Sequence, residues 1–274
     1  MDTRIDPSSL AVTSADTIAI SNVNLSLGTG AARVHILKNI SLRVGRSETV
    51  GLIGPSGSGK STLLMVMAGL ERPDSGEVVV SGTPFNALDE DALARFRGRQ
   101  VGIVFQSFHL IPTMTALENV MVGRHLHLNT RLLPALFRFP SLVRKDREAK
   151  DRAAQLMTEV GLEKYIDADA ASMPYGALKR LEIARALASE PKLLLLDEPA
   201  AGLNATESRE IDEVIKTVAK SGVTIVLVEH DMKMVMGISH RITALNQGRM
   251  LAEGTPQEVA ANPDVIAAYL GAAP

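Results

Sequence analysis

Residues 54–61 are the part of the sequence that most directly indicates chemistry. They fit the pattern G-x-x-x-x-G-K-[ST], between a predicted strand and a predicted helix. Glycines let the backbone turn so that several N–H groups point at one anion, and the following helix adds its positive end. Lys60 can reach the β- and γ-phosphates of ATP, and the Ser61 hydroxyl can bind Mg²⁺. The residues predicted to hold the nucleotide are Gly54, Pro55, Ser56, Gly57, Ser58, Gly59, Lys60, Ser61 and Thr62.

Two adjacent carboxylates can supply the second half of such a site. Asp197 and Glu198 follow the apolar run 193–196, which predicts a buried strand. Beside a phosphate-binding loop, an acidic residue at a strand end holds Mg²⁺, and Asp197 fits that role. Glu198 is then placed to act as general base toward the attacking water. By itself the pair fits a solvated acidic turn equally well, but together with the loop it favours catalysis.

Two further polar residues follow predicted strands. Gln106 comes after residues 101–105 and can contact Mg²⁺ or the attacking water. His230 comes shortly after residues 224–228 and can contact the γ-phosphate and position the water. Each signal is weak alone, because a polar residue or a single histidine at a strand end is more often structural than catalytic.

The elements that must position these residues predict an α/β fold. Strands alternate with helices, which indicates a P-loop NTPase core with a mostly parallel sheet. The strands before the glycine-rich loop predict a small antiparallel β subdomain at the edge. Helical segments from about 115 to 175 interrupt the alternation and predict an inserted helical subdomain. The nucleotide-binding domain is expected to span residues 17–274, after a flexible lead of residues 1–16.

The composition argues against several classes of function. A net charge of −2 gives no support for a nucleic-acid partner, and the absence of cysteine excludes disulfides, thiolate metal sites and thiol catalysis. No apolar run reaches the roughly 18 residues that a membrane-spanning helix needs, and the N-terminus lacks the apolar segment of a secretory signal. Any role at a membrane is therefore expected to require a partner.

In chain order, the glycine-rich loop, Gln106, the helical part, a glycine turn at Gly176, the acidic pair and His230 resemble the nucleotide-binding subunit of ABC transporters. The resemblance covers essentially the whole chain. It implies a head-to-tail dimer with a second, identical or different, ATPase subunit and two ATP molecules between them. Each site then joins the loop of one subunit to the Gly176 turn of the other, and residues 201–204 match the D-loop that crosses the seam. The resemblance also implies transmembrane permease subunits and a cytoplasmic location at the inner face of the membrane.

The sequence departs from the family at two places. The family signature is usually Leu-Ser-Gly-Gly-Gln, whereas residues 173–177 read Met-Pro-Tyr-Gly-Ala. Pro174 offers neither a hydroxyl nor an N–H group, so slower hydrolysis is expected, although Gly176 and the helix that follows can still supply N–H groups. The family often stacks adenine on an aromatic residue, and Leu27 occupies that place here.

Two kinds of ABC transporter are resembled by different parts of the chain. The runs 54–64 and 101–113 resemble ATPases of lipoprotein release and macrolide export. From about residue 117 onward the chain resembles ATPases of branched-chain amino-acid uptake, through runs at 118–125, 174–176, 180–185, 197–204, 229–232 and 262–271. Natural divergence, recombination and a designed chimera all fit this division.

Import of branched-chain or hydrophobic amino acids is the expected function. In this family the helical insert and the loop after Gln106 contact the membrane partner, and most of the insert is of the uptake type. A periplasmic substrate-binding protein then belongs to the complex. The alternatives are a lipoprotein-release or macrolide-type exporter and a regulatory ABC module with little turnover, which the unusual signature favours. A soluble ABC protein of DNA repair or translation fits less well, since the chain has one phosphate loop and no basic patch.

Overall fold

The computed structural model describes residues 16–107, 109–124 and 140–270. The strands in these ranges are β1 (Asp16–Leu27), β2 (Val34–Gly45), β3 (Thr49–Ile53), β4 (Ser75–Val80), β5 (Thr83–Pro84), β6 (Val101–Val104), β7 (Leu193–Asp197), β8 (Thr224–Val228), β9 (Arg241–Asn246) and β10 (Arg249–Gly254). The α-helices are α1 (Lys60–Met67), α2 (Glu90–Gln100), α3 (Ala116–Gly123), α4 (Pro140–Glu159), α5 (Tyr175–Leu187), α6 (Ala205–Lys220), α7 (Met232–Ile238), α8 (Pro256–Ala260) and α9 (Pro263–Leu270).

The larger sheet has the strand order β10-β9-β3-β8-β7-β6. All neighbours in it are parallel except the β9–β10 hairpin. β3, β7 and β8 are buried along their whole length, as expected for continuous apolar runs covered on both faces. The predicted α/β fold with a mostly parallel sheet is confirmed. The carboxyl ends of β3, β7 and β8 meet at one edge, and the candidate site lies there.

A second, antiparallel sheet has the order β2-β1-β4-β5, which confirms the predicted antiparallel subdomain. It also contains β4 and β5, which come after the glycine-rich loop in sequence. β1 begins at Asp16, the last residue of the predicted lead, and the rest of that lead lies outside the described residues.

Two hydrophobic cores lie on opposite faces of the parallel sheet. Leu193 and Leu195 of β7 pack in a core with α1 and the antiparallel sheet. Leu194 and Leu196 point the other way, into a core that also contains side chains of α3 to α7. This alternation is the ordinary consequence of side chains pointing to opposite faces of a strand. The sheet is therefore covered by hydrophobic packing on both faces.

The helical part contains α3 and α4, which pack against α5. α3 begins with a capping box between Thr115 and Glu118. Pro140, expected from the sequence to break helices, is the first residue of α4, a position where proline is tolerated. Residues 125–139 lie outside the described ranges, so the bounds of the predicted insert stay a prediction. Within the described residues, no helix combines the length and the apolar character needed to cross a membrane.

Candidate functional site

The glycine-rich loop joins the end of β3 to the start of α1. Gly54, Gly57 and Gly59 have φ values of 150°, 75° and 100°, a region that favours glycine. A Cβ atom at Gly54 would also collide with the backbone carbonyl of Leu245 in β9. The loop therefore takes a shape that only glycine allows, next to the N-terminal end of a helix.

The side chain of Lys60, the first residue of α1, lies against the backbone of the loop. Its Nζ atom donates hydrogen bonds to the carbonyl oxygens of Gly54 at 2.9 Å and Pro55 at 3.0 Å. The side chain is only 6% exposed. Burial lowers the pKa of Lys60, and the nearby carboxylates of Glu198 and Asp197 act in the opposite direction. A partly dehydrated ammonium group thus lies beside the loop and the acidic pair.

Asp197, the last residue of β7, contacts Ser61. The Ser61 hydroxyl donates a hydrogen bond to Asp197 Oδ1 at 3.0 Å. Asp197 is 8% exposed, and burial raises its pKa, opposed by the bond from Ser61. A hydroxyl and a buried carboxylate in contact are hard oxygen donors of the kind that Mg²⁺ prefers. These two residues therefore fit a magnesium ion bound beside the loop.

Glu198 and His230 are brought together because β7 and β8 are neighbours in the sheet. The Glu198 backbone N–H donates to the carbonyl of Val228 at 2.8 Å, and its φ of 51° turns the chain away from the strand. His230 Nε2 lies 2.8 Å from Glu198 Oε1. Two residues 32 positions apart thus form one hydrogen-bonded pair beside Asp197.

Glu229 is a residue of this site whose role the sequence did not reveal. It is buried, and its carboxylate accepts hydrogen bonds from the backbone N–H groups of Ala200 at 2.8 Å and His230 at 2.9 Å. Burial raises its pKa, while these bonds oppose the rise. Glu229 therefore ties the chain after β7 to the chain after β8. A charged residue directly after an apolar strand was the available signal.

Gln106 follows β6, at the edge of the same sheet. Its backbone carbonyl accepts a hydrogen bond of 2.7 Å from Nζ of Lys179, a fully buried residue of α5. Farther along this loop, the N–H of His109 donates to Glu182 at 2.8 Å, and its carbonyl accepts from Arg185. Side chains of α5 thus hold the backbone of Gln106 and of His109. The contact of the Gln106 side chain with Mg²⁺ or water stays a prediction.

The sequence could have revealed the burial of Lys179 and Glu182. Lys179 lies four residues before Ile183, and Glu182 lies four residues before Ala186, on a helix whose apolar residues enter the core. Charged residues within a buried stripe are unusual, and such residues need partners.

Gly176 lies in the first turn of α5, next to the turn that follows Glu198. Pro174 is the N-cap residue and provides no side-chain hydrogen bond to the helix. The Tyr175 hydroxyl donates to the carbonyl of Ala201 at 3.3 Å, so α5 contacts the predicted D-loop. The contact of Gly176 with a nucleotide of a second subunit stays a prediction. Leu27, the last residue of β1, is partly exposed, and its contact with adenine also stays a prediction.

The profile of the ABC transporter family matches residues 37–201, more than half of the chain. The chain belongs to the ABC transporter family. A second profile, that of the branched-chain amino acid ATP-binding cassette transporter, matches residues 249–274.

Similar ABC proteins of both expected kinds exist. The high-affinity branched-chain amino acid transport ATP-binding protein BraF of Pseudomonas aeruginosa is 42% identical over 238 residues, covering 86% of this chain and 92% of BraF. The lipoprotein-releasing system ATP-binding protein LolD of Geobacter metallireducens is 39% identical over 237 residues, covering 86% and 98%. Because both matches cover most of the chain, the division of the two resemblances near residue 117 stays a prediction.

Solved ABC cassettes share the fold. The dimeric post-hydrolysis structure of MJ0796 bound to ADP and Pi has a TM-score of 0.76 and 31% identity, covering 87% of this chain and 98% of that one. The ADP conformation of MJ1267 has a TM-score of 0.77 and 26% identity, covering 93% and 99%. The chain is therefore an ABC transporter ATP-binding subunit and an ATPase.

Proposed function

We propose that this ABC ATPase hydrolyses ATP between the glycine-rich loop and the ends of β7 and β8. The observation that supports this most strongly is that residues far apart in sequence meet at one sheet edge. The hydrogen bond between Ser61 and Asp197 and the pair formed by Glu198 and His230 both lie there, with Lys60 beside them.

Each side chain has a separate task in the proposed reaction. Ser61 and Asp197, with Gln106, hold Mg²⁺, which supplies neutralising charge to the phosphates when bound. Lys60 and the loop N–H groups bind the phosphate oxygens. Glu198 accepts a proton from the attacking water. At the same time the water oxygen bonds to the γ-phosphorus, and the bond between the γ-phosphorus and the ADP oxygen breaks. The hydrogen bond from His230 keeps the Glu198 carboxylate in place for that transfer.

Replacing Glu198 by Gln tests these assignments. The Glu198→Gln protein is expected to bind MgATP with an affinity near that of the wild type but to lose at least about a hundredfold in steady hydrolysis, because the amide cannot accept the proton. Calorimetry gives the affinity, and phosphate release gives the rate. Lys60→Ala is the matched control, and it should lose nucleotide binding itself. Equal hydrolysis by wild type and Glu198→Gln would exclude Glu198 as the base and favour the regulatory-module alternative.

The proposed site for the permease subunits is a groove beside the loop after Gln106. The groove has a volume of about 520 Å³ and lies between β6, α3 and α5. Its lining is mostly apolar and includes Gly102, Ile103, Phe105, Val122, Glu182 and Arg185. An apolar groove of this size suits a short amphipathic helix of a partner. Binding there places the chain at the inner face of the membrane, although it carries no spanning helix in its described part.

The proposed cargo is a branched-chain or other hydrophobic amino acid, moved inward with the help of a periplasmic binding protein. The similarity to BraF and the profile match at 249–274 support this. The similarity to LolD supports a second candidate, a lipoprotein-release type of exporter. Co-purification of the chain with its membrane subunits, followed by assay in vesicles, separates the two. ATP-dependent leucine uptake supports the first, and release of a membrane-bound lipoprotein without uptake supports the second.

A further inference from the structure

The C-terminal part of the chain contacts the glycine-rich loop at both of its ends. The backbone N–H of Gly54 donates a 2.6 Å hydrogen bond to the hydroxyl of Tyr269, near the end of α9. At the other end, the N–H of Gly248 in the β9–β10 turn donates to the carbonyl of Ser58 at 3.0 Å. The close approach of Gly54 to Leu245 in β9 adds a third contact. Three residues of the C-terminal part, Leu245, Gly248 and Tyr269, therefore contact the loop.

The helix that carries Tyr269 is itself firmly anchored. Asn262 Oδ1 accepts hydrogen bonds from the N–H groups of Asp264 at 2.9 Å and Val265 at 3.2 Å, which caps the helix. Val265 is 4% exposed within the larger core, and α9 packs against β10 and α8. The position of the Tyr269 hydroxyl is thus set by packing that does not involve the loop. Burial raises the pKa of Tyr269, although 39% of the residue is exposed.

Gly54 links Tyr269 to the phosphate-binding lysine. Its N–H group is bonded to Tyr269, and its carbonyl oxygen accepts a hydrogen bond from Lys60 Nζ. A shift of Gly54 therefore moves an acceptor of the Lys60 ammonium. Because the loop N–H groups must point at one anion, a loop held in advance loses less entropy when nucleotide binds.

We propose that Tyr269 is a positioning residue of the ATP site, whose hydroxyl holds Gly54 and thereby raises the affinity of the glycine-rich loop for nucleotide. The proposal rests on the proposed role of that loop and of Lys60. Tyr269 lies within residues 249–270, the described part of the branched-chain profile match. The proposal therefore gives this segment a role at the ATP site.

Replacing Tyr269 by Phe removes the hydroxyl and keeps the ring. Affinity for MgADP, measured by calorimetry at 25 °C, is expected to fall roughly three- to tenfold, the effect of one neutral hydrogen bond. In steady hydrolysis the KM for ATP is expected to rise by a similar factor with little change in kcat. Amide hydrogen exchange in a peptide covering residues 50–59 is expected to speed up. Tyr165→Phe, a substitution of the same kind in the helical part, should change none of these.

A merely structural role predicts a different result. In that case the thermal midpoint of Tyr269→Phe falls, while nucleotide affinity at 25 °C, KM and exchange at residues 50–59 stay at wild-type values, and the proposal is wrong. Unchanged values of all four quantities also overturn it. The proposed ATP site fails separately, if wild-type protein does not bind MgADP or if Lys60→Ala binds it as well as wild type.

Discussion

At the residue scale, the least expected feature is a buried charged pair on α5. Lys179 is fully buried and Glu182 is 6% exposed, with Lys179 Nζ and Glu182 Oε2 4.0 Å apart. Burial lowers the pKa of Lys179 and raises that of Glu182 to about 7. Lys179 donates to the backbone carbonyl of Gln106, and Glu182 accepts from the backbone N–H of His109. Because both contacts are made to the backbone of the loop, they do not require a particular side chain at Gln106 or His109.

The Glu182 carboxyl is expected to make stability depend on pH. Its pKa is about 7 when folded and near 4.5 when unfolded, so between these values the folded chain binds more protons. Stability then falls as pH rises through this window, by up to roughly 3 kcal/mol. The amide side chain of Glu182→Gln cannot ionise. The free energy of unfolding of this variant should therefore rise relative to that of wild type between pH 5 and pH 8. Urea unfolding at several pH values measures this.

The control for this pH experiment is Glu163→Gln, at an exposed glutamate. If the difference between Glu182→Gln and wild type varies with pH no more than the difference between Glu163→Gln and wild type, the buried-charge account is wrong.

At the element scale, the ends of α5 and α6 meet beside the predicted D-loop. A Cβ atom at Gly176 would lie 2.7 Å from Glu207 Oε1, so glycine allows this approach. Glu207 also completes a capping box at the start of α6, in which Asn204 accepts from Thr206 N and Glu207 N. One capping side chain therefore stabilises a helix and touches the neighbouring signature helix. This explains how the first turn of α5 and residues 201–204 are held together.

Asn204→Ala tests the value of that cap. Loss of the side-chain acceptor is expected to lower the free energy of unfolding by about 1 kcal/mol, measured by urea denaturation. Because Asn204 ends the predicted D-loop, ATP-dependent dimerisation is also expected to weaken. Thr255→Ala removes a similar capping box at α8 and should cost similar stability without affecting dimerisation. Equal dimerisation by both variants would show that the cap has no role at the seam.

At the scale of the whole molecule, one subunit supplies only one half of each ATP site in the proposed dimer. The loop, the acidic pair and His230 lie at the carboxyl edge of the sheet, while the Gly176 turn is expected to serve the nucleotide of a second subunit. The solved MJ0796 cassette is dimeric with ADP and Pi bound, which is consistent with this arrangement. Dimerisation should therefore require bound nucleotide.

Light scattering of purified protein tests this arrangement. Glu198→Gln with MgATP is expected to show the molar mass of a dimer, because it binds nucleotide and cannot hydrolyse it. The same protein without nucleotide, and Lys60→Ala with MgATP, should run as monomers. A monomeric Glu198→Gln protein at saturating MgATP would contradict the head-to-tail dimer.

Much of this protein could be predicted from the sequence by itself, because the relevant signals are local. The glycine-rich loop needs glycine wherever φ is positive, and the apolar runs of β3, β7 and β8 mark strands buried on both faces. The predicted strand at 224–228 matches the structure at both ends. Such features depend on backbone conformation and burial, which neighbouring residues largely determine.

Only the tertiary structure decided which distant groups meet. The contact of His230 with Glu198 follows from the pairing of β7 with β8, and the contact of Tyr269 with Gly54 joins residues 215 positions apart. The burial of Lys179 against the loop after β6 likewise depends on how α5 packs on the sheet. Strand order and helix packing result from the combined burial of two cores, and no local pattern in the chain encodes that sum.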